Sequence, residues 1–466
     1  MSDDNLAVRV ERLEARLAAA EREIAVKDRV IIDQLERIRR LEVALEDARR
    51  RGKRQSAPFS KGKSGTGKVP GRKSGEAHGR HGHRSAPAGP ADRELEAGLP
   101  DRCPDCGGEV VCDRVDEQWQ VDIPPVTPVV TKFNVAVGHC CGCGTRLQGA
   151  HPEQTSQALG AAAVSVGPTA RALGMWLHYG LGLSFDKARK VLDRFGIGLT
   201  RAAICKESAS AASKELVPVH AELVKVANAS ASLVMDETGW HVEGDGAWMW
   251  VATNEGLTVY WVTPGRGFAD ATERIDADYD GIIVRDGYVV YDQYTNATPQ
   301  SCLAHLLRRC REMEADLTGR DRRIPVAAKA ILKDALTARN LDAAGRAAAA
   351  VEMTARVEAL CARPPGCDDN RRLLAHLAHQ APGLFTFLTA DPALHIDATN
   401  WRAETGIRPA VVNRKVWGGN RTWTGARTQG VITSILRTAE QHGHDAVSYI
   451  ADRARAPDPG LAVLLA

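Results

Sequence analysis

The chain has no run of about 18 apolar residues, so no membrane-spanning helix is expected. Its N-terminus is charged and lacks the apolar core of a signal peptide, which predicts a cytoplasmic location. Eleven cysteines in such a protein indicate thiols or metal sites before disulfides. At 466 residues the chain is too long for one hydrophobic core, and roughly three or four domains are expected.

Acidic residues are almost absent from one stretch of the chain. The whole chain has a formal net charge of +3, but residues 51–84 contain ten Lys or Arg and a single acid, Glu76. This stretch therefore carries +9 and the remainder −6. A basic tract on a mildly acidic body indicates a polyanionic partner, and the alternative is a solvated linker. Large apolar residues are also scarce over residues 51–100, which predicts a disordered basic linker.

Residues 5–50 have the heptad pattern of a coiled coil. The a positions are Val10, Leu17, Ile24, Ile31, Ile38 and Leu45, and the d positions are Leu6, Leu13, Ala20, Lys27, Gln34 and Leu41. Four β-branched a residues and three d leucines favour a parallel dimer, so a homo-oligomer is expected. The alternative is one amphipathic helix packed on its own chain.

Residues 101–150 contain two Cys-x-x-Cys motifs, each followed by glycine. This spacing lets four thiolates converge on one zinc ion, as in a zinc ribbon. The predicted zinc ligands are Cys103, Cys106, Cys140 and Cys143. Cys141 is a possible substitute for Cys140, and the segment 121–137 is predicted to supply strands. A redox dithiol does not explain two motifs with trailing glycines.

Residues 155–228 are predicted to be a helical DNA-binding region. One helix ends at Gly196, and the next is expected to begin after Thr200, a plausible N-cap. Helix, glycine-containing turn and helix fit a helix-turn-helix that places Arg201 near DNA, although many helical hairpins have the same pattern.

From residue 230 the pattern changes to short β-branched or aromatic runs, which predicts strands. Four are expected, at Leu233–Met235, Ala247–Thr253, Leu257–Thr263 and Gly281–Val284. Tryptophans among these runs are expected in the core, with Trp240 the best candidate for stacking on a base. Helical sequence dominates residues 300–395, so we predict an α/β core interrupted by a helical insertion.

Two of these strands run into aspartates, Asp236 and Asp286. Two aspartates on adjacent strands can hold divalent metal through oxygen ligands, and two such metals support phosphoryl transfer. The alternative is a pair of turn or cap residues. The residues alone leave a third acid open among Glu273, Asp292, Glu404 and Glu440. Glu237 is expected to point away from the metals, because neighbouring residues on a strand face opposite sides.

Several further motifs resemble those of the insertion-sequence-66 family of transposases. They follow in order as Asp236-Glu-Thr-Gly-Trp240, Ala247-Trp-Met-Trp250, Arg285-Asp-Gly-Tyr288, Cys302-Leu-Ala-His305 with Arg308 and Arg309, Ala403-Glu404, Arg408-Pro409, Arg414-Lys415 and Thr438-Ala439. The resemblance covers nearly the whole chain. Cys302 and His305 are expected to shape the catalytic edge or to contact DNA.

The resemblance implies a multidomain α+β protein with an RNase-H-like α/β catalytic core over residues 230–440. The insertion occupies about 300–395, and residues 441–466 form a C-terminal tail. Asp236, Asp286 and Glu404 would be the catalytic triad and would bind two Mg²⁺ ions, or Mn²⁺. The expected nucleic-acid-binding residues are Lys53, Arg54, Arg72, Lys73, Arg201, Arg308, Arg408, Arg414 and Lys415.

The resemblance also implies the activity and the partners. A DNA transposase of the DDE type cleaves the ends of its insertion sequence and joins the 3′-hydroxyls to target DNA. The implied partners are element ends, target DNA, a second copy of the chain and companion proteins of the same element, with nucleoid association when DNA is bound. Trp401 and Thr405 depart from the family pattern. The alternatives are a non-catalytic DNA-binding protein derived from a decayed transposase, and a nuclease that cleaves without joining.

Overall fold

The computed structural model describes Leu17 and residues 87–154, 165–455 and 461–465. The chain divides into two compact units, residues 1–120 and 121–466, each considered by itself. Apart from Leu17, the predicted coiled coil lies outside the described residues, as does the basic linker up to residue 86. Within 87–120, the structure shows a tight turn at residues 103–108 and an isolated bridge between Arg102 and Glu109.

The second unit begins with a small antiparallel hairpin formed by β1 (Val137–His139) and β2 (Arg146–Gln148). These strands flank the second Cys-x-x-Cys motif. The prediction of strands over residues 121–137 is wrong except at Val137, because residues 121–136 contain no strand. Pro124, Pro125 and Pro128 lack the N–H donors that a strand ladder needs.

Among the described residues of the second unit, four helices precede the large sheet. They are α1 (Pro168–Met175), α2 (Phe185–Arg194), α3 (Arg201–Ala211) and α4 (Val217–Asn228), with π-helical turns at Trp176–Gly180 and Ala212–Leu216. Thr200 caps α3 as expected: its hydroxyl accepts a hydrogen bond of 3.0 Å from the Ala203 N–H. Helices α2 and α3 therefore have the predicted helix, turn and helix order.

The core of the second unit is a five-stranded mixed sheet. Its strands are β3 (Ser232–Val242), β4 (Asp245–Thr253), β5 (Thr258–Thr263), β6 (Ile282–Arg285) and β7 (Thr298–Ser301), and their order across the sheet is β5-β4-β3-β6-β7. The first three are antiparallel, whereas β6 and β7 run parallel to β3. A short helix, α5 (Phe268–Ala271), lies between β5 and β6.

All four predicted strands are present, but β3 is longer than expected. The apolar run does not end the strand at Asp236: β3 continues to Val242 because β4 goes on pairing with it. The parallel neighbour β6 stops at Arg285, so Asp236 lies where that pairing ends. The sequence pattern missed β7, whose residues are Thr-Pro-Gln-Ser.

Helices follow the sheet as predicted. The insertion contains α6 (Leu303–Asp316), α7 (Arg323–Ala338), α8 (Ala343–Cys361), α9 (Asp368–Gln380) and α10 (Thr386–Thr389), and the chain ends with α11 (Trp401–Trp417), α12 (Trp423–Gln441), α13 (Ala446–Arg455) and α14 (Leu461–Leu465). The expected tail therefore contains α13, whose Tyr449 and Ile450 are buried against the sheet core.

Hydrophobic clusters cover both faces of the sheet. On one face, Val234 and Val284 pack with the insertion helices and α11. On the other, Leu233 and Ile283 pack with α1, α4, α12 and α13. The insertion thus shares one core with the first face of the sheet. Among the described helices, none combines the length and apolar character needed to cross a bilayer.

Candidate active site

Asp236 lies within β3, and Asp286 directly follows the parallel strand β6. The register pairs Val234 with Val284, and continuing it by two residues places Asp236 beside Asp286. Adjacent strands lie about 4.8 Å apart. Because side chains alternate along a strand, both aspartates are on the sheet face of Val234 and Val284, toward the insertion and α11.

Each aspartate is held by the backbone through one oxygen. Asp236 Oδ1 accepts a hydrogen bond of 2.9 Å from the Glu237 N–H, and Asp286 Oδ1 accepts one of 2.8 Å from the Tyr288 N–H. Within the described residues, neither Oδ2 has a hydrogen-bond partner. Both side chains are partly exposed, so these oxygens are available to a ligand.

Glu404 reaches the same edge from the first turn of α11. Its Oε1 lies 3.6 Å from Nε2 of His305, which is in the first turn of α6. The starts of the two helices are tied together, because the Leu303 N–H donates to Ala398 O at 2.9 Å and the Asn400 N–H donates to Cys302 Sγ at 3.3 Å. The fold therefore brings Glu404 back to the aspartates across the whole insertion.

The acids repel one another electrostatically. Burial raises the pKa of Asp236 well above its ordinary value, and the charges of Glu237, Asp286 and Glu404 raise it further. Three partly exposed acids on one edge favour a bound cation, and their oxygen donors suit Mg²⁺ or Mn²⁺. In the described parts of the chain, however, no group of three or more His, Cys, Asp or Glu side chains is arranged so that it could hold a metal ion.

Unmet hydrogen-bonding capacity lies beside Glu404. The side chain of Asn400 is 1% exposed, and neither its Oδ1 nor its Nδ2 has a partner among the described residues. His305 Nδ1 is likewise buried and without a partner there. A bound water, ion or substrate group would satisfy these atoms.

Glu237 points to the opposite face of the sheet, as expected for the residue after Asp236. Its Oε1 accepts a hydrogen bond of 2.9 Å from Arg266 Nε, and its Oε2 accepts one from the Tyr291 hydroxyl. The Arg266 guanidinium lies between two rings, 4.5 Å from the centre of Trp248 and 3.8 Å from that of Tyr288. The backbone N–H of Tyr288 also donates to Asp286. The contacts among Glu237, Arg266 and Tyr288 therefore help to position the second aspartate from the opposite face of the sheet.

The insertion places an arginine and a histidine near Asp286. Arg309 Nη1 on α6 lies 2.7 Å from His376 Nδ1 on α9. A β-carbon built on Gly287 would lie 2.7 Å from His376 Nε2, so the imidazole sits against the loop directly after Asp286. The sequence gives no sign of His376, because its partner is 67 residues away and no periodicity connects them.

The other three candidates for the third acid lie near basic side chains elsewhere in the structure. Asp292 accepts from Arg285 Nη2 at 2.5 Å and lies 2.8 Å from His379 Nε2. Glu440 pairs with Arg437 at 3.0 Å, and Glu273 lies 3.9 Å from Arg274. Of the four candidates, Glu404 is the one on the aspartate edge.

Most of the expected nucleic-acid-binding residues that the structure describes have accessible side chains. Arg201, Arg408 and Lys415 are exposed, and Arg308 is half-buried. Arg414 instead donates a hydrogen bond to Gly239 O of β3. The remaining four, Lys53, Arg54, Arg72 and Lys73, lie outside the described residues. Trp240 is 1% exposed and cannot stack on a base.

The two Cys-x-x-Cys turns have the same backbone geometry. In the first, the Cys103 N–H donates to Gly108 O and the Gly107 N–H donates to Cys103 O; in the second, the Cys140 N–H donates to Thr145 O and the Gly144 N–H donates to Cys140 O. Cys140 therefore corresponds to Cys103, and Cys141 does not. Hydrogen bonds from Asp105 and Cys106 lower the pKa of the Cys103 thiol, and those from Thr145 and Cys140 lower the pKa of Cys143.

The chain is also similar to a known protein family. A family model described as the transposase IS66 family matches residues 163–428, more than half of the chain. The matched range includes Asp236, Asp286 and Glu404. No curated protein matches the chain.

Proposed function

This chain belongs to the transposase IS66 family, and we propose that it cleaves the ends of an insertion sequence and joins the freed 3′-hydroxyls to target DNA. The observation that supports the proposal is that Asp236 and Asp286 follow the paired residues Val234 and Val284 of two parallel strands, and that the charges of Asp286 and Glu404 both raise the pKa of Asp236. Two-metal phosphoryl transfer needs acids that converge on one place, where a phosphodiester can approach them.

Asp236, Asp286 and Glu404 are proposed as the catalytic residues and as the ligands of two Mg²⁺ or Mn²⁺ ions. When bound, such ions activate the attacking oxygen and stabilise the leaving oxygen. The Glu237 and Tyr288 amides orient one oxygen of each aspartate and leave the other facing the substrate. His305 holds Glu404 at its place on the edge.

The remaining segments are proposed to deliver DNA and a second protomer to this site. The basic linker with Lys53, Arg54, Arg72 and Lys73 supplies phosphate affinity that weakens as salt rises. Exposed Arg201 and the half-buried Arg308 contribute nearer the core. The predicted coiled coil joins two protomers, so that both ends of the element are handled together. Companion proteins of the same element and nucleoid association belong to this proposal.

Structural zinc is proposed for the four cysteines Cys103, Cys106, Cys140 and Cys143. The support is their spacing and the matching turn in each pair. Lowered thiol pKa values at Cys103 and Cys143 favour the thiolate form that zinc requires.

The deciding experiment compares the wild type with Asp236→Asn, Asp286→Asn and Glu404→Gln on DNA carrying the terminal repeats that flank the coding sequence. Mg²⁺-dependent nicking and strand-transfer products are measured beside DNA affinity. Cleavage and joining by wild type, lost in all three variants while affinity persists, are expected. Equal inactivity with equal affinity would identify a non-catalytic DNA-binding protein. Nicking without joined product would identify a nuclease.

A further inference from the structure

The pair formed by Arg309 and His376 fixes which imidazole nitrogen carries the proton. A guanidinium has only donors, so at 2.7 Å from Arg309 Nη1 the His376 Nδ1 must be the acceptor. The proton of the neutral ring is therefore on Nε2. The insertion thus presents an N–H donor whose tautomer is set by a neighbouring cation.

This donor lacks an acceptor within the described residues. Nε2 lies so close to the Gly287 backbone that a β-carbon there would be only 2.7 Å away. Any residue other than glycine would displace the imidazole. His376 is half-buried, and among the residues that the structure describes no oxygen accepts from its Nε2. The Nε2–H beside Asp286 can therefore donate to a bound ligand.

The chemistry of the position selects an anion. Asp286 is the acid next to Gly287, and a cation held there would bring a phosphate oxygen with it. The imidazole N–H, which the insertion supplies, then faces that phosphate. Oxygen acceptors with negative charge make the strongest hydrogen bonds to such donors.

We propose that His376 is a substrate-contacting residue whose Nε2–H donates to a non-bridging oxygen of the DNA phosphate at Asp286, with Arg309 as the positioning residue that sets the tautomer. This inference rests on the proposed function and adds a substrate contact from the insertion. The alternative is that the contact between Arg309 and His376 only stabilises the packing of α9 against α6.

The test uses the full-length protein and terminal-repeat DNA in Mg²⁺. Removing a hydrogen bond to a charged group predicts that His376→Ala lowers the single-turnover cleavage rate roughly 10- to 100-fold. His376→Gln keeps an N–H donor and is expected to recover part of the rate. His379→Ala, on the same helix but paired with Asp292, is the matched control and should cleave like wild type. Thermal unfolding of each variant separates loss of contact from loss of fold.

A second measurement identifies the contacted phosphate. Single methylphosphonates, which remove the charge of one phosphate, are placed in turn around the cleavage position, and DNA affinity is measured. One substitution should weaken binding by wild type and have no further effect on His376→Ala. The proposed contact would be overturned if His376→Ala cleaved DNA at the wild-type rate. It would also be overturned if each methylphosphonate weakened DNA binding equally in the wild type and in His376→Ala. Absence of cleavage by wild type would instead count against the proposed function.

Discussion

His305 Nε2 lies 3.6 Å from Glu404 Oε1, although 99 residues of chain separate the two. His305 lies near the start of the insertion and Glu404 lies after its end. The contact between them therefore joins the two ends of the insertion at the aspartate edge. The position of the third acid therefore depends on how the first helix of the insertion is seated, as well as on α11.

Replacing His305 should weaken catalysis through Glu404. His305→Ala removes the imidazole whose Nε2 lies 3.6 Å from Oε1, and a loss of roughly tenfold in the cleavage rate is expected because Glu404 is then less well positioned. The Mg²⁺ concentration for half-maximal rate should rise, because Glu404 is no longer held on the edge. The exposed His395, replaced in the same way, is the control. An unchanged Mg²⁺ requirement would show that His305 does not position Glu404.

Neutralising Glu237 should destabilise the protein more than neutralising an exposed acid. The Glu237 side chain is 1% exposed and pairs with Arg266, which is partly exposed. Glu237→Gln leaves that guanidinium without its charge partner, so unfolding in urea should show a loss of about 1–3 kcal/mol.

The control for this loss is Glu222→Gln, because the Glu222–Lys225 pair is exposed on both sides. A change of about 0–1 kcal/mol is expected there. Equal losses for the two variants would contradict the structural role assigned to Glu237.

The sequence predicted the aspartate pair because both residues follow short apolar strands. It did not predict their register, which depends on how β6 lies along β3. Glu404 needed the family resemblance, because 118 residues and five helices separate it from Asp286. Arg266 and His376 were missed, since their contacts join distant segments without periodicity. Strand β7 was missed because its four residues lack alternating apolar character, and packing against the insertion buries Gln300 and Ser301.

Acid should unfold the protein partly through two buried histidines. Burial lowers the pKa of His178 and of His220 to about 4, from an ordinary value of 6.5. Between these pH values the unfolded chain binds protons that the folded chain does not, so stability falls as pH is lowered. Each ring can contribute roughly 3 kcal/mol of this loss by pH 4.

His178→Asn tests the assignment, because its amide can replace the bond between Nδ1 and Leu183 O, which is 2.6 Å long. The free energy of unfolding should then depend less steeply on pH between 6.5 and 4. His241→Asn, at an exposed position, should retain the wild-type dependence. An equally steep dependence in His178→Asn would rule out its contribution.

Zinc content should distinguish the two adjacent cysteines of the second turn. Cys140 matches Cys103 in the backbone hydrogen bonds of its turn, whereas Cys141 does not. Cys140→Ser should therefore lose about one zinc per chain, as should Cys103→Ser, because each removes one of four thiolates. Cys141→Ser should keep its zinc when the purified proteins are analysed for metal. Loss of zinc from Cys141→Ser with retention in Cys140→Ser would reverse the assignment, and zinc retained in all three would remove these turns as its site.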